Sequence, residues 1–216
     1  MVKIPNHIIS KGIFMSISSE TFPDSPTYLY SDIRADIRTG DLLLCSGTST
    51  FSTLIKKTSN SIWSHVGFII RLDMIGRIMV LESVETIGVR AVTLSSYINN
   101  YNATGKSYPG KLLIARHQEF RPDNIMNLSH TAVDLLGYPY NSIEIAEIAA
   151  RITLKSIGID LSNSIPDKLH AFICSEYAYF CYKSVGINIP YNCNECYLSP
   201  ADFAKTPEIN AIGFVT

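Results

Sequence analysis

No apolar run in this chain is longer than a strand. Stretches such as Val66 to Ile70 and Ile78 to Leu81 fall far short of the roughly 20 apolar residues that cross a bilayer, so no transmembrane segment is expected. Charge of one sign is also missing. The formal net charge of -1 leaves no electrostatic footprint for nucleic acid or for an anionic membrane surface. Met1-Val2-Lys3-Ile4-Pro5-Asn6-His7 lacks an apolar stretch before a small-residue cleavage site, so export is not signalled. Five cysteines, an odd number without regular spacing, do not form a disulfide framework. Together these features point to a reducing, cytoplasmic setting. There is no Gly-rich phosphate loop and no HExxH, and neither an organic cofactor nor a metal is expected. Oligomeric state leaves no mark on the sequence.

What is present is an ordinary globular composition, with 46% hydrophobic and 17% charged residues over 216 positions, enough for one domain with a real core. Residues 1–37 read as an N-terminal extension, broken by Pro23 and Pro26. Residues 38–205 carry the regular patterns, and 206–216 are left as a C-terminal tail. Leu42 to Cys45 is a short buried strand, and Phe51, Leu54 and Ile55 recur at helical spacing up to about Thr58. Strands follow at 64–72 and 77–83, joined through Asp73 to Gly76 as a hairpin. Further strands are expected at 88–93 and 111–116, with a Tyr/Asn-rich excursion between them. A helix starts near Pro122 and stops at Gly137. Another amphipathic stretch spans 142–157, and a last helix runs from Cys174 to about Val185. Strands first and helices later make an α+β domain, an antiparallel sheet packed against helices.

The chemistry concentrates in Phe172-Ile173-Cys174-Ser175-Glu176. A thiol at a helix N-terminus meets unpaired backbone N–H groups and the positive end of the helix dipole, which favour the reactive thiolate. Its natural base is His65, at the start of a strand in Ser64-His65-Val66-Gly67-Phe68. Glu82, in Val80-Leu81-Glu82-Ser83, can orient that imidazole if the hairpin makes the two neighbours. A carboxylate inside an apolar strand needs a partner, and His65 supplies one.

Each residue alone has a plainer explanation. A single buried Cys is usually a small hydrophobe, a single strand His is usually structural, and Glu82 could face water on an edge. Only the three together carry weight. His170 lacks an obvious orienting carboxylate beyond Asp167, and Cys181 sits two turns after Cys174, where packing explains it. Cys193-Asn194-Glu195-Cys196 is a single CxxC without the second pair a zinc site wants.

At these residues the chain resembles the NlpC-like branch of papain-fold cysteine hydrolases in its circularly permuted, YiiX-like form. Thr39-Gly40-Asp41-Leu42-Leu43-Leu44 is similar to the strand motif that opens the permuted domain, and Ser64-His65-Val66-Gly67-Phe68-Ile69 to its His motif. Glu82 falls at the family's acid. Leu136-Gly137-Tyr138-Pro139-Tyr140-Asn141, the Cys-Ser-Glu segment at Cys174 and Ser199-Pro200-Ala201-Asp202-Phe203 follow in the same order. The resemblance implies a circularly permuted papain-like fold, with Cys174 as nucleophile, His65 as base, Glu82 as orienting acid and Tyr140 near the thiol. It implies a cysteine peptidase or amidase acting on an amide of a small peptide or cell-wall-type fragment. A lipid-acyl hydrolase or acyltransferase using the same site is the nearest rival. A non-catalytic binding module is a third reading, disfavoured because all three site residues are present.

Overall fold

The computed structural model describes residues 21–141, 172–190 and 198–216. In chain order the elements begin with β1 (Thr27–Tyr28), α1 (Tyr30–Ile33), β2 (Leu42–Gly47), α2 (Thr50–Thr58), β3 (His65–Leu72), β4 (Arg77–Val84) and β5 (Gly88–Thr93). They continue with α3 (Leu94–Asn99), β6 (Gly110–His117), α4 (Ile125–Asp134), α5 (Cys174–Lys183), α6 (Pro200–Lys205) and β7 (Ile209–Val215). The strands form one seven-stranded sheet in the order β1-β7-β6-β2-β3-β4-β5. Every neighbouring pair is antiparallel except the short β1–β7 pair at the edge, so the sheet is mixed.

Both faces of the sheet are covered, which is why its central strands are almost continuously apolar. Leu42, Leu44, Val66, Phe68 and Leu81 pack under α4 and α5, together with Trp63, Tyr177 and Tyr182. Leu43, Cys45, Ile69, Ile78 and Val80 pack on the other face with Ile33, Leu94 and Tyr97, from α1 and α3. This alternation fixes the register, because a slip of one residue would exchange the two faces. The β3–β4 hairpin turns through a short 3₁₀ segment, Asp73–Ile75, and closes on Gly76 at φ +59°, a left-handed conformation that suits glycine.

The Gly40-Asp41 motif serves the fold. Gly40 lies at φ +88°, and a Cβ there would meet the Phe120 ring at 2.2 Å. The buried Asp41 carboxylate takes two bonds from Arg116, at 2.6 and 2.8 Å, and one from the Arg38 backbone N–H at 2.7 Å. The Tyr182 hydroxyl of α5 donates to the Gly40 carbonyl, tying the helix that carries Cys174 to the start of β2.

Three sequence expectations change in detail. The stretch after residue 205 does not hang free, since Ile209–Val215 inserts between β1 and β6 as β7. Its pattern is weak because Asn210 and Gly213 interrupt the apolar alternation. Within the Tyr/Asn-rich excursion, Leu94–Asn99 is helical and buries Leu94 and Tyr97. The helix expected from Pro122 begins as a 3₁₀ turn at Pro122–Asn124 before becoming α4. The amphipathic stretch 142–157, together with Asp167, His170, Cys193 and Cys196, lies outside the described residues.

Candidate active site

At the end of the sheet where β3 begins and β4 ends, one cleft of about 260 Å³ is lined by His65, Cys174, Tyr140 and Arg90, among others. Cys174 arrives there as the first residue of α5, so its own backbone N–H is one of the first-turn donors that have no intrahelical acceptor. The approach to Cys174 is pinned on several sides. The Ser83 hydroxyl donates to the Phe172 carbonyl at 2.6 Å, and the Glu176 carboxylate accepts from the Ile173 N–H at 3.1 Å. One residue further on, the Ser175 hydroxyl donates to the Leu198 carbonyl at 2.6 Å.

Tyr140 reaches the cleft by a related device. It bridges Phe172 as an isolated parallel pair, and the Phe172 N–H donates to the Pro139 carbonyl at 3.1 Å. The Gly137-Tyr138-Pro139-Tyr140 segment is itself held to β5, because Val89 N–H donates to the Tyr138 carbonyl at 2.8 Å. Tyr140 also meets Phe51 of α2 edge-on, with ring centroids 6.4 Å apart.

His65 opens β3, and its Nε2 lies 2.6 Å from Oε2 of Glu82. The Glu82 side chain is fully buried and that of His65 is 16% exposed, so the pair is largely withdrawn from water. The two are not directly opposite. The ladder pairs Phe68 with Leu81, which places Glu82 across from Gly67 and one diagonal step from His65. The missing side chain at Gly67 leaves that diagonal open. With Nε2 taken by Glu82, the other ring nitrogen is left for the Cys174 thiol, which lines the same cleft and acts on the His65 charge.

Burial alone would pull His65 down, but the Cys174 sulfur and the Glu82 carboxylate outweigh it and raise its pKa to about 10. Burial would likewise push Glu82 up. The bonds from His65, the cations of His65 and Arg90 and the Tyr97 hydroxyl reverse that, and the carboxyl ends below its usual range. The chemical reading is a protonated imidazole beside the Cys174 sulfur, with an ionised carboxylate behind it.

All four residues singled out from the sequence therefore line or adjoin one cleft: Cys174, His65 and Tyr140 on its wall and Glu82 behind His65. Sequence reasoning missed two others. Arg90 on β5 is the direct cross-strand partner of Glu82 and donates to its Oε1 at 2.9 Å. Tyr97 on α3 donates to Oε2 at 2.5 Å. Arg90 could have been found by folding the β4–β5 hairpin on the turn at 85–87, which sets opposite charges face to face. Nothing in the sequence marks Tyr97, because its role depends on α3 crossing this face of the sheet. Among the described residues no group of three or more His, Cys, Asp or Glu is placed to hold a metal ion.

A family model described as "Permuted papain-like amidase enzyme, YaeF/YiiX, C92 family" matches residues 36–193. Among solved structures, the chain is similar to the crystal structure of the metalloprotein yiiX from Escherichia coli O157:H7. That likeness has a TM-score of 0.57 at 19% identity and covers 82% of this chain and 97% of that one. The chain matches no curated protein.

Proposed function

The chain belongs to the permuted papain-like amidases, a family of cysteine peptidase and amidase enzymes, and from that membership we propose a specific reaction. In our reading Cys174 is the nucleophile, His65 its acid and base, and Glu82 the group that orients His65. The observation that carries it is the joint geometry: a helix-start thiol and an imidazole on one cleft wall, with a buried carboxylate 2.6 Å behind the imidazole.

The proton rests on His65 before substrate arrives. The Cys174 sulfur attacks an amide carbonyl, forming the S–C bond and an oxyanion. The Cys174 N–H and the Tyr140 hydroxyl are the donors proposed for that oxyanion. The C–N bond then breaks, and the imidazolium gives its proton to the leaving amine. The resulting thioester is cleaved by water, whose proton returns to His65 as the acid leaves. No step calls for a metal.

The substrate we favour is an amide in a small peptide or wall-type fragment. A cleft of about 260 Å³ edged by Ser49, Ser52, Ser83 and Asn102 suits a compact, polar acyl group. One observation favours the lipid-acyl reading instead: Ile87, at the rim, is 57% exposed and could lie along a chain. The reducing, cytoplasmic setting is part of the proposal and rests on the odd cysteine count and the free thiols of Cys45, Cys174 and Cys181.

The test is to incubate the enzyme with panels of small peptide amides and of lipid esters, quench in acid, and weigh the protein. A covalent acyl adduct on Cys174 from the peptide panel supports the amidase. An adduct from the ester panel alone moves the assignment to acyl lipids. No adduct from either, with no turnover, sinks both.

A further inference from the structure

Glu82 sets a full carboxylate behind the imidazole in a fully buried place. Orienting a ring needs only a hydrogen-bond acceptor, and a full negative charge shut away from water is costly and basic. Left to itself, such a carboxylate would draw the proton away from His65. The surroundings counter this. Oε2 accepts from both His65 and the Tyr97 hydroxyl, at 2.6 and 2.5 Å, while Oε1 is held by the Arg90 guanidinium at 2.9 Å. Arg90 is in turn fixed by its cross-strand position opposite Glu82. Both of its terminal nitrogens also face Oδ1 of Asn102 at 3.4 Å, and Asn102 sits in the left-handed region at φ 49°.

Resting on the hydrolase reading above, we propose that Arg90 and Tyr97 are positioning residues: Arg90 cancels the buried charge of Glu82 through Oε1, and Tyr97 locks Oε2, the oxygen that faces His65, so that Glu82 does not draw the proton off His65 when Cys174 attacks. The charge count supports this division of labour. In the form that attacks, a Cys174 thiolate and Glu82 carry two negative charges and His65 and Arg90 two positive ones, so the group of four is neutral when the nucleophile is formed. The other titratable groups around Glu82 are Cys45 on β2, Tyr97 on α3, and Tyr101 and Tyr108 beyond it. Burial pushes all four up, so they remain uncharged at neutral pH.

Removing the Arg90 charge makes the whole site hold its protons more tightly, so the reactive anion emerges at higher pH. The experiment is the rate of Cys174 alkylation by iodoacetamide across pH, in the wild type, Arg90→Gln, Arg90→Lys and Tyr97→Phe. Arg90→Gln should move the acid-side midpoint up by about one pH unit, a slowing of about tenfold below it. Arg90→Lys should bring the midpoint most of the way back, because the charge is restored. Tyr97→Phe should move it in the same direction by less, since only a neutral donor is lost.

A purely structural Arg90 would lower stability and leave the midpoint in place, and that result overturns the proposal. A shift that Lys fails to reverse overturns the charge argument as well. If Arg90→Gln does not fold, an unmoved midpoint in Tyr97→Phe is enough to reject the scheme. A wild type whose thiol is no faster than a free one fails differently: it removes the hydrolase reading, and this inference goes with it.

Discussion

Gly67 lies across the β3–β4 pair from Glu82, and the space where a side chain would stand is the path by which the Glu82 carboxylate reaches His65. A Cβ at Gly67 would come 3.3 Å from the Glu82 Cβ, 2.9 Å from a Val80 methyl and 3.0 Å from the Leu81 carbonyl. Gly67 is therefore part of the site without offering any chemistry of its own.

Gly67→Ala should cost about 1 to 3 kcal/mol of stability through overpacking. It should also slow Cys174 alkylation by about tenfold or more, because a carboxylate displaced by a fraction of an ångström no longer holds the ring. Denaturant unfolding and alkylation rates on the same preparation separate the two effects. Lost stability with an unchanged alkylation rate would mean that Glu82 reaches His65 by another route.

The thiols should differ sharply in reactivity. Burial pushes the Cys45 and Cys181 thiols up, whereas Cys174 faces the cleft beside His65. In the native protein, iodoacetamide mapped by peptide mass spectrometry should modify Cys174 and leave Cys45 and Cys181 untouched. Fast modification of Cys45 under native conditions would contradict the packing described for β2.

The site should also leave a mark on stability against pH. His65 in the folded chain holds its proton up to about 10, whereas an ordinary histidine releases it near 6.5. Its contribution is thus fully present below 6.5 and is lost as pH rises towards 10. Glu82 works in the opposite sense: its folded value lies below 4.5, so its contribution is present above that and fades as pH falls. Unfolding free energy should therefore peak on the mildly acidic side of neutrality and decline towards pH 10. In His65→Ala the alkaline decline should flatten. An identical slope in the variant would show that other groups produce it.

Much of this was legible in the chain because burial on both sheet faces writes long apolar runs. Leu42 to Cys45, 64–72 and 77–83 stand out for that reason, and Cys174 stands out because an apolar run turns there into a helix. The His65–Glu82 pairing followed from locating a single turn at Asp73 to Gly76. What stayed hidden depends on partners distant in sequence. β7 carries Asn210 and Gly213 and reads as a tail until β6 is there to pair with it. Tyr97 acquires its role only when α3 is laid over β4.

Asp41 offers a control for reasoning about motifs. It sits in one of the segments that carry the family resemblance, yet its carboxylate is spent on Arg116 and the Arg38 backbone at the end of the sheet away from the cleft. Asp41→Ala leaves Arg116 without its partner and should cost about 2 to 3 kcal/mol, somewhat less than a fully buried pair because Arg116 is partly exposed. The midpoint of Cys174 alkylation against pH should not move in the folded fraction.

Tyr140 is decided by how its loss is divided between binding and chemistry. If its hydroxyl donates to the oxyanion, Tyr140→Phe keeps the ring against Phe51 and removes a bond made only as the tetrahedral state forms. That predicts a fall in kcat of about a hundredfold, near 3 kcal/mol, with KM nearly unchanged. If the hydroxyl instead touches the bound substrate, KM rises and kcat holds. The thioester route survives the second outcome, but the Cys174 N–H would then need a different second donor, and the first-turn N–H groups of α5 are the nearest source.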